Sequence, residues 1–267
     1  MTTVRLSKFH GLGNDFLVVL GDSVPALGDP AGAAVELCDR RRGIGADGLL
    51  LGSLADGYTA RMVLHNADGS RAEISGNGIR CFAHALWLED ATRLDQRIAT
   101  DAGDRLVSIT PGADPTAVHA SVDMGDVSAI NAPSRWAALE CDPRRPVAHL
   151  SLGNPHSVVA VDDVWAVDLV DLGGRVPEVN LEIVEVGPED QAITMRVHER
   201  GVGITDACGS GACASAWAAR QWGMVSASEV LVHMPGGDAV VRVDHPAAGR
   251  VTLVGPSTYV GAVLVDR

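Results

Sequence analysis

The sequence predicts an α+β fold of two similar halves, each a central helix wrapped in a mainly antiparallel β-sheet, and three observations carry that expectation. Strand-like runs bounded by turn residues recur along the whole chain. Two helical stretches, around CFAHALW and ACASAWAA, are apolar most of the way round, which is the pattern of a helix surrounded by other structure. Each of them follows the same local pattern of small nucleophile, Gly, polar residue, Gly: EISGNGIR at 73–80 and DACGSGAC at 206–213. The offset from Ser75 to Cys208 is 133 residues, close to half of the 267-residue chain, so the halves read as versions of one unit.

In chain order, the runs VRLSKF and FLVVL open the first half and precede a helix over 30–41. YTARMVLH follows, then a helix from Gly76 to Glu89. The Pro-rich stretch NAPSRWAALECDPRRP at 131–146 reads as the crossing into the second half, so the expected domains are 1–130, with the C-terminal segment available to complete its sheet, and 131–267. HLSLG, VVAVD, NLEIVEV and AITMRVH then lead to a helix over 209–222, and SEVLVHM, DAVVRV and RVTLVG close the chain.

Composition narrows the function. With 46 % hydrophobic and 21 % charged residues the chain is globular, and 267 residues are enough for about two domains of 100–200 residues each. The opening MTTVRLSKFH shows no apolar h-region, and no run of about 18 apolar residues is present, so neither secretion nor a membrane partner is expected. Five scattered cysteines without a C-x-x-C pair fit a reducing cytoplasm rather than a disulfide framework. A net charge of -13 opposes phosphate backbones, and the arginines at 40–42 are too short a run to offset it, so nucleic acid is not an expected partner. No H-E-x-x-H or paired-cysteine spacing points to a metal, and the GLGND and GIGADG loops lack the G-K-[ST] ending of a phosphate-binding loop. Metal and cofactor are both expected to be absent.

The two helix starts suggest the chemistry. Free backbone N–H groups and the positive end of the helix dipole make each an anion site, so a substrate carboxylate fits the amides of Gly76, Asn77, Gly209 and Ser210. The same field lowers a thiol's pKa, which would make Cys208 a thiolate. If the halves face each other about a pseudo-twofold axis, Ser75 and Cys208 approach one carbon from opposite sides, and the pair suits stereochemical inversion. One group takes the α-proton, the other returns a proton, and the helix starts stabilise the enolate-like charge. The other cysteines, Cys38, Cys81, Cys141 and Cys213, read as small core residues. Cys81 lies six helical positions from Ser75, on a different face at about 100° per residue.

Across nearly its whole length the chain resembles the diaminopimelate epimerases, a family of pyridoxal-independent amino acid epimerases that use two cysteines. The resemblance rests on KFHGLGNDFLVV at 8–19, RRGIGADGLLL at 41–51, NADGSRAEISGNGIR at 66–80, LGNPHSVV at 152–159, VPEVNLEIVEV at 176–186, ERGVGITDACGSGACA at 199–214 and MPGGDAVVRV at 234–243. What it implies is a site in the cleft between two α/β halves and the interconversion of LL- and meso-2,6-diaminopimelate, in lysine and peptidoglycan-precursor biosynthesis. By motif, Asn14, Asn66, Asn154, Asn180 and Arg200 match residues that hold the substrate's distal head. Gly76, Asn77, Gly209 and Ser210 match the helix starts that take the reacting carboxylate. His156 and Glu199 match residues beside the reacting amino group, and Cys208 matches the second catalytic cysteine. Gly48 stands where some members carry a substrate-contacting glutamine. The expected partners are this amino acid substrate and a second copy of the chain in a homodimer.

Two departures matter. The first catalytic cysteine falls on Ser75, and the E-T-x-A-C pattern before the second becomes Ile204-Thr205-Asp206-Ala207-Cys208. A serine hydroxyl needs a neighbour to activate it as a base, although it can still carry a proton. Three origins fit Ser75: a natural Ser/Cys variant, a deliberate Cys→Ser substitution, or a related activity such as racemisation of another amino acid or dehydration of a hydroxyproline-type substrate. The changes at Ile204 and Asp206 favour a divergent lineage over a single replacement. A catalytically disabled relative that only binds an amino acid is the alternative from a different class.

Overall fold

The computed structural model describes residues 2–114, 116–244 and 249–267, and they divide into two compact units: Met1–Val122 with Gly255–Arg267, and Asp123–Val254. The division falls inside a strand, so residues 123–130 go with the second unit, the C-terminal segment goes with the first, and the Pro-rich stretch 131–146 lies within the second.

The first unit runs β1 (Thr3–Gly11), β2 (Asn14–Leu20), α1 (Pro30–Cys38), β3 (Gly48–Ser53), β4 (Ala60–Asn66), β5 (Arg71–Ala72), α2 (Gly76–Glu89), β6 (Asp95–Thr100), β7 (Gly103–Pro111) and β8 (Ala117–Asp126). The second continues with β9 (Ser128–Ala129), β10 (Val147–Ser151), β11 (Pro155–Ala160), α3 (Leu169–Arg175), β12 (Asn180–Val186), β13 (Ala192–Glu199), β14 (Gly203–Thr205), α4 (Gly209–Gln221), β15 (Glu229–Met234) and β16 (Gly237–Val243). The last strand, β17 (Arg250–Asp266), begins in the second unit and ends in the first.

Pairing senses repeat from unit to unit. In the first, β1–β2 is antiparallel, β2–β3 parallel, β3–β4 antiparallel, β4–β6 parallel, and β6–β7 and β7–β8 antiparallel. In the second, β10–β11, β11–β12, β12–β13, β13–β15, β15–β16 and β16–β17 follow the same order of senses. In the first unit β17 then pairs with both β1 and β8 and closes the ring of strands.

Parallel neighbours require a crossover, and in each unit the second crossover carries the central helix. α2 therefore packs on β1, β2, β3, β4 and β7, and α4 on β10 to β13, β15 and β16. Eleven consecutive residues of α2, Gly76 to Leu86, are buried, as the all-round apolar pattern requires. The observed span of α2 is the expected one, and α4 ends one residue short of the expected 222. α1 stops at Cys38 rather than running to 41, because Asp39 Oδ1 accepts the amides of Arg41 and Arg42 and turns the chain away. The strands β3, β5, β6, β7, β8, β9 and β14 and the short helix α3 lie outside the expected runs. Among the described residues no helix is long and apolar enough to cross a membrane.

Candidate active site

Each unit gathers residues singled out by the motifs at the start of its central helix. In the first, Ser75 caps α2 from extended backbone (φ -133, ψ 124), and its Oγ accepts the Gly78 amide at 3.0 Å. The next two residues, Gly76 and Asn77, are buried. Asn77 Nδ2 donates to Asn14 Oδ1 at 3.1 Å, and Asn14 Nδ2 donates to Asp47 Oδ2 at 2.7 Å. Behind this chain lies the fully buried Arg80, which donates to Asn77 Oδ1 at 2.8 Å and to the carbonyls of Gly76 and Pro256 at 3.3 Å each. At its other end, Arg40 bridges Asp15 and Asp47 at 2.7 and 2.6 Å, with Lys8 at 2.9 Å from Asp15. Burial pushes the Asp15 carboxyl up, but its bonds to Arg40 and Lys8 outweigh that, and it ends below its ordinary value. Asn66 is occupied in its own turn, where Nδ2 donates to Ser70 Oγ at 3.0 Å. At Gly48 a Cβ would meet the His65 carbonyl at 2.9 Å, so the backbone there has no room for a larger residue without a shift.

The second cluster repeats the cap with sulfur. Cys208 precedes α4 in extended backbone (φ -128, ψ 112), and its Sγ accepts the Gly211 amide at 3.4 Å and lies 3.6 Å from Ser210 Oγ. Asn154 Nδ2 donates to Ser210 Oγ at 3.3 Å, and Asn154 Oδ1 is 3.0 Å from His156 Nε2. The parallel register of β11 and β12 sets His156 opposite Asn180, whose Oδ1 accepts the Arg200 backbone amide at 2.8 Å. His156 Nδ1 meets Glu182 Oε1 at 2.7 Å, and both side chains are wholly buried. On β13, Glu199 Oε1 accepts the Thr205 hydroxyl at 2.5 Å. The structure thus links Asn154, His156, Asn180, Ser210 and Cys208 in one hydrogen-bonded group, with Arg200 attached through its backbone.

One expectation is corrected. A helix start alone lowers a thiol's pKa, but burial drives the Cys208 thiol well above its ordinary value of 9.0, with Glu199 and Glu182 adding to the rise. The Gly211 amide and the Ser210 hydroxyl pull the other way and lose. Glu199 is itself raised, first by burial and then by Glu182, while its bonds to Thr205 and Cys208 oppose the rise. The balance favours the protonated thiol of Cys208, beside carboxyl groups whose own proton affinity is raised. Because only the thiolate alkylates readily, Cys208 should react slowly with iodoacetamide at pH 7, and its rate should still be climbing above pH 9.0. A plateau already reached by neutral pH in peptide-resolved mass spectrometry would contradict this.

Gly211 is needed for the cluster to close. A Cβ there would sit 2.7 Å from Glu182 Oε1 and 3.2 Å from Cys208 Sγ, closer than such contacts tolerate. Gly211→Ala should leave α4 formed, since alanine favours helix, but push the carboxyl or the thiol aside. The expected loss in turnover is on the order of 100-fold, the scale that a misplacement of about 1 Å can cost. Wild-type turnover in the alanine variant would show that the cluster absorbs the extra methyl.

The motifs missed Glu182, Arg80 and the Asp15–Arg40–Asp47 group. For Glu182 a signal was present. In NLEIVEV the alternation of 180, 182 against 181, 183 puts Asn180 and Glu182 on one strand face, opposite Leu181 and Ile183 in an apolar cluster. For Arg80, a lone cation inside a helix buried all round was the signal. Among the described residues no three His, Cys, Asp or Glu side chains are grouped as a metal would need.

The fold, with a strand-wrapped central helix built twice in one chain, is shared by several solved proteins. One is a phenazine biosynthesis protein of the PhzF family from Bacillus anthracis, with a TM-score of 0.76 at 14 % identity over 100 % of both chains. Another is a hydroxyproline epimerase from Agrobacterium vitis with bound trans-4-hydroxy-L-proline, with a TM-score of 0.69 at 16 % identity over 99 % of this chain and 91 % of that one. At such identities the likeness is one of fold. Sequence carries it further, and the chain belongs to the diaminopimelate epimerase family, whose pattern matches residues 6–130 and 149–260. Similar relatives are the diaminopimelate epimerases of Halothermothrix orenii, 33 % identical over 99 % of both chains, and of Corynebacterium glutamicum strain R, 38 % identical over 97 % of this chain and 96 % of that one.

Proposed function

We propose that this chain is a diaminopimelate epimerase, which interconverts LL- and meso-2,6-diaminopimelate by α-proton transfer without pyridoxal phosphate. Near full-length similarity to curated diaminopimelate epimerases supports the substrate. The observation that carries the chemistry is the Cys208 cap, a thiol on a helix N-terminus facing Glu199 and Glu182 and linked to His156 through Ser210 and Asn154. Its high proton affinity suits a base switched on by substrate. An arriving α-ammonium offsets the carboxylates and favours the thiolate, while the amides of Gly209 and Ser210 take the reacting carboxylate and its enolate-like charge. The thiolate then removes the α-proton, and position 75, aligned by the resemblance with the family's first catalytic cysteine, returns one.

In this reading Asn14, Asn66, Asn77, Asn154, Asn180 and Arg200 bind the amino acid. The protein works as a homodimer in a reducing cytoplasm, where its thiol stays usable. The replacement of a thiol by the Ser75 hydroxyl favours one second reading, a Ser/Cys enzyme for a related amino acid or a relative that only binds. Incubation with LL-diaminopimelate in deuterated water separates the two. The proposed enzyme places deuterium at the α-carbon and forms the meso isomer; a binder leaves the substrate protiated, and an enzyme for another substrate exchanges only within a panel of proline-type and other amino acids.

A further inference from the structure

Glu182 lies wholly buried on β12, between the His156 ring and the first turn of α4. Its Oε1 is 2.7 Å from His156 Nδ1 and the same distance from the point where Gly211 would carry a Cβ. Its Oε2 is buried with no hydrogen-bond partner among the described residues. Burying a carboxyl with one oxygen unmatched is costly, and well-packed apolar residues in place of a whole buried pair such as Glu182 and His156 are often as stable. The neighbours Leu181 and Ile183 do pack apolar on the other face. The carboxyl is thus kept where it costs stability and where it touches the candidate site.

Its contact fixes more than one ring. Asn154 Nδ2 donates to Ser210 Oγ, so Asn154 Oδ1 is left as an acceptor and His156 Nε2 must carry a proton to reach it. With Nε2 protonated, Nδ1 either donates to a Glu182 carboxylate or accepts from a protonated Glu182. In either form a proton lies across the 2.7 Å contact and sets the ring's orientation. From Glu182 the bonds run through His156, Asn154 and Ser210 to Cys208, whose Sγ accepts the Gly211 amide, and Gly211 in turn packs against Glu182 Oε1.

We propose that Glu182 is a positioning residue for α-proton transfer, holding His156 by Nδ1 and, through Asn154 and Ser210, setting the thiol of Cys208. The inference rests on the epimerase reading given above. Glu182 also faces the thiol with its charge, together with Glu199 from β13, while His156 on β11 bonds the carboxyl of Glu182.

The test uses Glu182→Leu and Glu182→Gln in the full chain, with two readouts. The first is initial-rate α-deuterium exchange from LL-diaminopimelate, split into kcat and KM. The second is the pH profile of Cys208 alkylation, followed by peptide mass spectrometry without substrate. Leucine leaves Nδ1 only the 3.5 Å contact with Asn180 Nδ2, and kcat should fall about 10- to 100-fold, the range for partners that orient metal-bound histidines, with a smaller change in KM. Glutamine keeps a hydrogen-bonding partner and should recover part of that loss. In both variants the alkylation profile should move to lower pH, because one of the groups raising the thiol is gone. A carboxyl that only shapes the fold would slow exchange without moving that profile.

Folded variants with wild-type kcat, or slowed exchange with an unmoved profile and no recovery by glutamine, overturn the proposal. Should leucine unfold the chain, glutamine decides alone: unchanged exchange together with an unchanged profile rejects it. If the wild-type protein exchanges no proton of diaminopimelate, the functional reading fails separately, and the alkylation profiles still decide whether Glu182 is coupled to Cys208.

Discussion

Replacing Cys208 by alanine is expected to abolish α-proton exchange, with a loss of at least about 1,000-fold, within the range that a positioned general base contributes. The expectation follows from the second unit's cluster, where Cys208 Sγ is the group with a thiol's acidity and nucleophilicity, and Ser210, its neighbour at 3.6 Å, offers only a hydroxyl. The side chain is nearly buried, 5 % exposed, and caps α4 through the Gly211 amide, so alanine also costs stability. That cost should be about 1 kcal/mol, the usual value of a lost cap. Cys208→Ser separates the two effects. Serine at 75 already caps α2 by the same bond, to the Gly78 amide at 3.0 Å, so the serine variant should unfold near the wild-type temperature while exchange stays lost. Deuterium incorporation measured beside thermal unfolding checks both. Exchange retained at more than a small fraction in the serine variant would remove the thiol from the mechanism.

Ser75→Cys should act in the opposite direction. In the proposed reaction position 75 handles the second proton, and a serine hydroxyl is a far weaker acid than a thiol. With serine, exchange from the two stereoisomers should be unequal, since only the isomer served by Cys208 meets a competent base. Cysteine at 75 can keep the cap, as the Gly211 amide on Cys208 Sγ at 3.4 Å demonstrates for sulfur in the same setting. The turn is close-packed, with a Cβ at Gly78 meeting Ser75 Oγ at 3.3 Å, so the larger atom requires a small adjustment there. The rate is expected to rise about tenfold or more, toward the scale of a positioned acid or base, and the inequality should shrink. Initial-rate exchange from the LL and meso isomers, for both forms side by side, reads this out. An unchanged rate with unchanged inequality, or a fall, means that position 75 takes no part in proton transfer, and the Ser/Cys enzyme of another substrate or the binding role gains.

The sequence alone determined the two central helices and their caps. A cap is a local event, since Ser75 and Cys208 each satisfy an amide three residues on, and the glycines after them admit the tight first turn. The all-round apolar faces of α2 and α4 likewise announced their burial. β6, β7 and β8 were not legible in the same way. DQRIAT, GDRLVSITP and AVHASVDMGD are rich in polar residues, and β7 inverts the usual pattern by burying Arg105 and exposing Leu106, so pairing with neighbours far along the chain decides them.

The acidity of Cys208 shows the same divide most sharply. Its place at a helix start is local and argues for a thiolate; its burial, with Glu199 and Glu182 beside it, is tertiary and wins. Glu182 lies 26 residues from Cys208 and reaches α4 only because β12 pairs parallel with β11 and Gly211 leaves its side open. Local rules set where each helix begins, because a cap involves only neighbouring residues. How deeply the cap is buried, and which charges surround it, depends on strands brought in from far along the chain, and there burial, with those charges adding to it, outweighs the dipole.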